Sequence, residues 1–269
     1  MRIGIIGATG LVGSQLVAQA HQRGVETAAV ARSLGHDLSS CDERDAPAGR
    51  AGGDRLSEVI AGCASVINVL QCPDLDEGVA TAYFDKTTRR LGAACSTAGV
   101  RRIVLLSIIG IDQATSSPDA DPGPATPEGY YRAKHVQEQL TRASASDVHV
   151  VRSAPFHNFV GQVLGRAAES VSALVSDMPV QPVELSAVAD LLLDVATSRR
   201  DEPLLEIAGP RVEGLVDLAH EFADYYFDDQ QIRPVPASKA LADGLLIPHE
   251  NAIIAGRSFH EWLHTHARG

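Results

Sequence analysis

Cysteine is scarce in this 269-residue chain, and its four copies are not arranged to act together. Cys41, Cys63, Cys72 and Cys95 include no CxxC pair and no dense cluster. That spacing argues against a disulfide-built scaffold and predicts reduced thiols in a cytoplasmic setting. Positive charge is also in short supply. Lys and Arg total 23 against 34 Asp and Glu, a formal net charge of −11. A nucleic acid partner is therefore not expected, because phosphate binding draws on clustered cations. The arginine pairs at 89/90, 101/102 and 199/200 are scattered and offset by acids. No apolar run approaches the roughly 20 residues of a membrane span. The apolar start MRIGIIG is broken by glycine too early for a secretory signal. The expectation is a cytoplasmic protein without a membrane partner. Internal repeats and low-complexity tracts are missing too.

What is present is ordinary for a globular chain: 45% hydrophobic and 21% charged residues. The length suffices to bury about three quarters of the unfolded surface without disulfide or metal support. Short apolar runs ended by glycine or polar residues predict buried strands at Arg2–Ile6, Val25–Arg32, Ala64–Leu70, Arg102–Ser107 and Asp147–Arg152. Helical spacing between them predicts helices at Leu11–Arg23, Leu56–Ala61, Gly78–Ala98 and Tyr130–Ala143. Strands alternating with helices imply an α/β fold, a Rossmann-type doubly wound parallel sheet. The segment Asp112–Gly129, with four prolines, reads as a long functional loop. Beyond Pro155 the pattern loosens. Helices are expected at Phe156–Ala168, Ser186–Thr197, Leu215–Tyr226 and Ile253–His266, with a strand at Leu204–Ala208. The expected division is a dinucleotide-binding part over 1–155 and a smaller α/β substrate part over 156–269, interleaved with the sheet rather than independent.

Gly7-Ala8-Thr9-Gly10-Leu11-Val12-Gly13 lies between the first strand and the first helix. Glycines there allow a tight turn and let backbone N–H groups approach a pyrophosphate resting on the helix N-terminus. This placement within a βαβ unit points to a dinucleotide. An NAD site usually ends its second strand on an acid that grips the ribose hydroxyls. Here the strand ends on Ala31-Arg32-Ser33, and an arginine suits the 2′-phosphate of NADP(H). NADP(H) is thus expected in preference to NAD(H). Asp54 is a candidate for the adenine amine or, equally, a helix N-cap.

Ser107 closes the fourth apolar strand, at the sheet edge where such folds bind ligands. Tyr130 and Lys134, four residues apart, share one helix face. The stripe Ala133, Val136, Leu140 and Ala143 is expected to face the core, leaving the Tyr130/Lys134 edge for a cofactor. An ammonium beside a phenol lowers the phenol's pKa and readies it to protonate a carbonyl that receives hydride. Ser107 would hold the carbonyl oxygen and Lys134 the ribose. Tyr131 competes with Tyr130 for the role. Phe156, His157 and Asn158 follow the strand whose end should face the nicotinamide and are candidates for a substrate pocket, although His157 equally fits an ordinary packed histidine.

The stretches Gly7–Gly13, Val30–Arg32, Val66–Leu70, Arg101–Gly110, Tyr130–Leu140, Val151–Phe156, Leu205–Pro210 and Ser258–Leu263 together resemble the atypical short-chain dehydrogenase/reductase superfamily, and within it the NmrA-like branch. The resemblance implies NADP(H) binding, with Leu70 among the cofactor contacts, and a small C-terminal substrate part. The branch holds reductases of quinones and phenolic compounds, but also regulators that bind dinucleotide without turning it over. Two functions follow as expectations. One is an NADPH-dependent oxidoreductase acting on a carbonyl, quinone or enone of a small apolar molecule. The other is a redox sensor acting through a protein partner; a homodimer is compatible with either.

His260-Glu261-Trp262-Leu263-His264 spells HExxH, the zinc-protease pattern. A catalytic zinc needs a third protein ligand, usually supplied downstream, and five residues remain after His264. No metal site is expected, and the resemblance reads this helix as a packing element with Trp262 and Leu263 inward.

Overall fold

The computed structural model describes residues 1–40, 54–116, 127–165, 172–227 and 230–266, without the side chains of 54–55, 114–116, 127–128 and 266. Cys41 and most of the proline-rich segment lie outside the described residues. The chain runs β1 (Arg2–Ile6), α1 (Leu11–Gln22), β2 (Glu26–Val30), a 3-10 turn (Arg32–Leu34), α2 (Asp54–Ile60), β3 (Ser65–Asn68), α3 (Glu77–Ala98), β4 (Arg102–Ile108), α4 (Ile111–Ser116), α5 (Pro127–Ser144) and β5 (Asp147–Ser153). It continues with α6 (Asn158–Gly165), β6 (Ser172–Asp177), β7 (Pro179–Val180), α7 (Leu185–Ala196), β8 (Leu204–Ala208), β9 (Glu213–Gly214), α8 (Leu215–Tyr226), β10 (Gln231–Pro236), α9 (Lys239–Ala242), β11 (Ile253–Ile254) and α10 (Phe259–His266).

Seven strands form one parallel sheet in the order β11-β8-β5-β4-β3-β1-β2, flanked by helices: a Rossmann-type fold. β1 pairs with β2 on one side (Ile5↔Ala29) and β3 on the other (Ile5↔Ile67). The strand order therefore reverses at β1, and in open α/β sheets ligands bind at the carboxyl ends flanking such a reversal.

Two compact units emerge: Met1–Ser107, Thr115–Val151 and Ala189–Leu205 in the first; Ile108–Ala114, Arg152–Val188 and Glu206–Gly269 in the second. In the first, one core cluster joins Ile6, Val30, Leu56, Ile60, Val66, Leu91, Cys95 and Ile103. Ile6, Val30, Val66 and Ile103 come from the short apolar strand runs, and Leu56, Ile60, Leu91 and Cys95 from the helices α2 and α3 that cover them. Cys63, Cys72 and Cys95 are free thiols, all buried. Burial pushes the Cys95 thiol up to about 12, so it stays protonated and inert. The second unit carries two ionic clamps of its own. Arg152 grips Asp112 with two hydrogen bonds of 2.6 and 3.0 Å. Arg257 grips Glu184 through Nε at 3.1 Å, Nη2 at 2.5 Å and its backbone N at 3.0 Å. These contacts hold the Glu184 carboxyl down at about 2.

Four expectations need correction. Ile253–His266 is not one helix: β11 comes first, pairing with β8 through Ile253↔Ile207, and α10 begins at Phe259. Asp112 and its neighbours are not loop but belong to α4. The parallel pair β6–β10 was not foreseen; the prolines of QIRPVP mask a strand in the sequence, and such prolines are tolerated only at sheet edges. The fourth correction concerns α5. Val136 and Leu140 are only half-buried, whereas Lys134, Gln137, Glu138 and Thr141 are buried with Ala133. This helix packs on α3 through small and hydroxylated residues. Thr87 and Thr141 donate back to their own helices, to Tyr83 O and Gln137 O at 2.8 and 2.7 Å, and Gly92 lies against Ser144. Hydroxyls satisfied within their own helix behave as small apolar groups at a helix contact, which an apolar-periodicity reading passes over.

Candidate active site

At the end of β1, Gly7 turns the chain with φ +92°, a left-handed value that glycine adopts without steric cost. The N–H groups of Gly7 and Ala8 both donate to Val30 O, at 2.8 and 3.1 Å, fastening the turn to the end of β2. A Cβ on Gly13 would lie 2.0 Å from Gly7 O. The first turn of α1 thus rests directly on the backbone of the glycine turn. Gly10 is the N-cap, with no side-chain cap bond, and α1 has no acid in its first turn. Leu11 is exposed beside it and Val12 is buried. A helix start without an acid or a capping side chain presents its first N–H groups and its positive end to an anion.

The Thr9 and Ser33 hydroxyls meet at 3.0 Å and tie the glycine turn to the segment after β2. Arg32 opens that segment and is exposed. It sits near enough to Asp37 to help lower that carboxyl's pKa, along with hydrogen bonds from Ser39. Asp37, an acid seven residues past the strand end, was not picked out from sequence. Its side chain is turned to Ser39 N and Oγ, at 2.8 and 2.6 Å. The backbone of Asp54 starts α2, and its side chain lies outside the described residues. A dinucleotide fits this end of the molecule: an uncapped helix start, a glycine backbone that admits close approach, and a guanidinium at the end of β2.

The carboxyl ends of β3 and β4 carry the second half of the site. Ser107 is 1% exposed, and its Oγ has no hydrogen-bond partner among the described residues. Asn68, on the neighbouring strand, is equally buried; its Oδ1 accepts from Leu70 N at 3.1 Å while its Nδ2 has no partner among the described residues. Buried polar groups without partners are uncommon in folded proteins. Two on adjacent strand ends supply hydrogen-bonding capacity that the described residues do not use. Asn68 was missed from sequence, although a polar residue closing the apolar run SVIN is the signal that singled out Ser107.

Lys134 is 3% exposed. Its Nζ donates to Leu106 O at 3.0 Å, the residue before Ser107, and to Gln137 Oε1. It also lies over the Phe84 ring, 5.1 Å from the centroid. Burial lowers its pKa to about 8. Tyr130, 7% exposed, meets the same Phe84 ring edge-on at 5.9 Å. Burial pushes the Tyr130 phenol above its usual range, while a hydrogen bond with the Gln71 side chain opposes the shift. This corrects the expected pKa depression by Lys134: Phe84 touches both groups, and desolvation governs the phenol. Tyr131 is buried too. A two-pronged ion pair from Arg132 to Glu77, at 3.0 and 2.7 Å, pins the second turn of α5 to the start of α3. Tyr130 and Lys134 thus share Phe84, and Lys134 reaches the end of β4 at the residue next to Ser107.

In the second unit, Phe156 and Asn158 are half-buried. His157, a candidate pocket residue, is instead packed inside. It is 0% exposed, lies against Phe259 and Trp262 at 5.6 and 5.3 Å, and pairs its Nε2 with Arg257 O at 3.0 Å. Trp262 and Leu263 are buried as the resemblance implied. Glu261 is bound to the start of its own helix. Ser258 N and Oγ both donate to Glu261 Oε2, at 2.8 and 2.7 Å, and Glu261 N donates to Ser258 Oγ at 3.3 Å. That is a capping box, and it occupies the carboxylate a protease reading would need as base.

The sequence family described as NAD(P)H-binding matches residues 7–199. The chain belongs to this NAD(P)H-binding family. As a member of the family it falls within the atypical short-chain dehydrogenase/reductase superfamily. A dTDP-4-dehydrorhamnose reductase of Mycobacterium tuberculosis is 28% identical over 252 residues, covering 88% of this chain and 80% of the relative. A solved dTDP-4-dehydrorhamnose reductase of Bacillus anthracis in complex with NADP superposes with a TM-score of 0.70 at 16% identity, over 98% and 97% of the two chains. MoeE5 in complex with UDP-glucose and NAD gives 0.67 at 19% identity, over 100% and 98%. These two structures share the fold. Among the described residues, no helix is long and apolar enough to cross a membrane.

Proposed function

We propose that this NAD(P)H-binding protein is an NADPH-dependent reductase of a ketone carbonyl. The observation that carries the reading is the buried Ser107 hydroxyl near the end of β4, without a partner among the described residues, with Lys134 bonded to the neighbouring Leu106 carbonyl. When bound, a reduced nicotinamide supplies the hydride to the carbonyl carbon. Ser107 donates a hydrogen bond to the carbonyl oxygen. Tyr130 delivers its proton to that oxygen as charge develops there, and solvent later restores the proton. Burial keeps the phenol protonated across the physiological range, so the donor is loaded whenever substrate arrives. Lys134 leaves the Leu106 carbonyl to hold the ribose, and its charge then assists the proton transfer. Arg32 pairs with the 2′-phosphate, which favours NADPH over NADH.

For the substrate, the relatives support a keto-sugar linked to a nucleotide over a quinone or enone. The Mycobacterium tuberculosis protein is a dTDP-4-dehydrorhamnose reductase, and MoeE5 is in complex with a UDP-sugar. NADPH oxidation is to be followed with a dTDP-linked 4-keto sugar and with a quinone series. The expected result is turnover of the keto sugar, lowered about 10²- to 10⁴-fold by Tyr130→Phe with NADPH affinity within about twofold. Undiminished turnover in that variant removes Tyr130 from the chemistry. A second reading, a dinucleotide sensor without turnover, draws support from Lys134 being held by Leu106 O and Gln137. Inertness toward both substrate series, with NADPH still bound and a protein partner captured only with the nucleotide, would favour it.

A further inference from the structure

α8 and α10, both in the second unit, bring together three side chains that no part of the dinucleotide chemistry uses. Glu221 Oε1 lies 2.6 Å from His260 Nδ1. His260 and His264, one helical turn apart on α10, have ring centroids 4.1 Å apart. One ligand-type atom from each of Glu221, His260 and His264 lies within 4.8 Å of the other two. The cluster falls beyond residue 199, where the family match ends.

Zinc bonds imidazole nitrogen and carboxylate oxygen at about 2.0–2.2 Å, which puts tetrahedral ligand atoms roughly 3.3 Å apart. The three atoms therefore reach that spacing by side-chain adjustment alone. The Tyr225 hydroxyl bonds His264 Nδ1, the kind of outer contact that fixes a ligating ring. The sequence pattern hid this arrangement because the third ligand was sought downstream of His264, whereas Glu221 lies 39 residues before His260.

We propose that Glu221, His260 and His264 form a binding site for a divalent transition metal of the zinc class, clipping α8 to α10. Two imidazoles and one carboxylate suit zinc far better than calcium or magnesium, which take all-oxygen shells. Three protein ligands leave the fourth position to water. The site is not a protease centre, because Glu261 is held in the capping box of its own helix. Its work is to hold the C-terminal helix against α8.

The test is calorimetric titration of untagged, EDTA-stripped protein with ZnCl₂, with CaCl₂ and MgCl₂ as controls. Zinc is expected to bind one to one with a Kd of about 1 µM or tighter, and neither control to give heat. Saturating zinc should raise Tm by roughly 5 °C. Glu221→Gln keeps a hydrogen-bond acceptor for His260 and should fold normally while losing about 100-fold or more in zinc affinity. His264→Gln should do the same. Zinc binding unchanged in both variants, or no saturable heat up to about 100 µM zinc, overturns the proposal.

Discussion

The glycine turn and the Tyr130–Lys134 end of the candidate site are built from different materials. The turn is backbone: Gly7 in left-handed conformation, two N–H groups on Val30 O, and α1 seated so close that Gly13 has no room for a Cβ. The other end is side chain: a phenol and an ammonium buried against one ring, with their pKa values governed by desolvation. A backbone-built site tolerates almost no substitution and writes itself into sequence as glycine. A side-chain-built site tolerates more, and its sequence spelling depends on which helix face is buried.

The sharpest way to break that comparison is Gly13→Ala. Adding one carbon that would meet Gly7 O at 2.0 Å should weaken NADPH at least about 100-fold and cost about 3 kcal/mol of stability. Titration of binding and a denaturant melt check both, and a mild phenotype would show that the turn is pliable. At the other end, Lys134→Met addresses the buried ammonium. A lysine in the unfolded chain keeps its proton to near 10.5, whereas Lys134 gives its proton up near 8. Between those values the unfolded chain binds the extra proton, so this group's contribution to stability rises with pH across that window and levels off above it. The wild-type stability relative to Lys134→Met should grow by about 3 kcal/mol from pH 8 to 10.5. A flat difference would mean that Lys134 is charged and solvated. Smallest is Arg32→Ala, expected to cost roughly 1.5–3 kcal/mol in NADPH binding and far less with NADH. Equal losses for the two coenzymes would release Arg32 from reading the 2′-phosphate.

The same division explains what could be read before the structure. The strands β1 to β5, the glycine turn and the position of Ser107 follow from short apolar runs and their punctuation, signals that are local in the chain. The buried face of α5 did not follow, because its contact with α3 is made by Thr87, Gly92, Thr141 and Ser144, which carry no hydrophobic signal. The packing of His157 against Phe259 and Trp262 joins residues about 100 positions apart, beyond any local pattern. Strand β10 was hidden by its own prolines. Asn68 was the avoidable omission, since it ends its strand as Ser107 does.

The capping of α10 also bears on what can be engineered here. A graft of hydrolytic activity onto the His260/His264 pair would draw Glu261 away from Ser258 and unravel the first turn of the helix that carries both histidines. Any such redesign must first give that helix a new beginning, for instance an aspartate cap in place of Ser258, before the carboxylate is free for other employment.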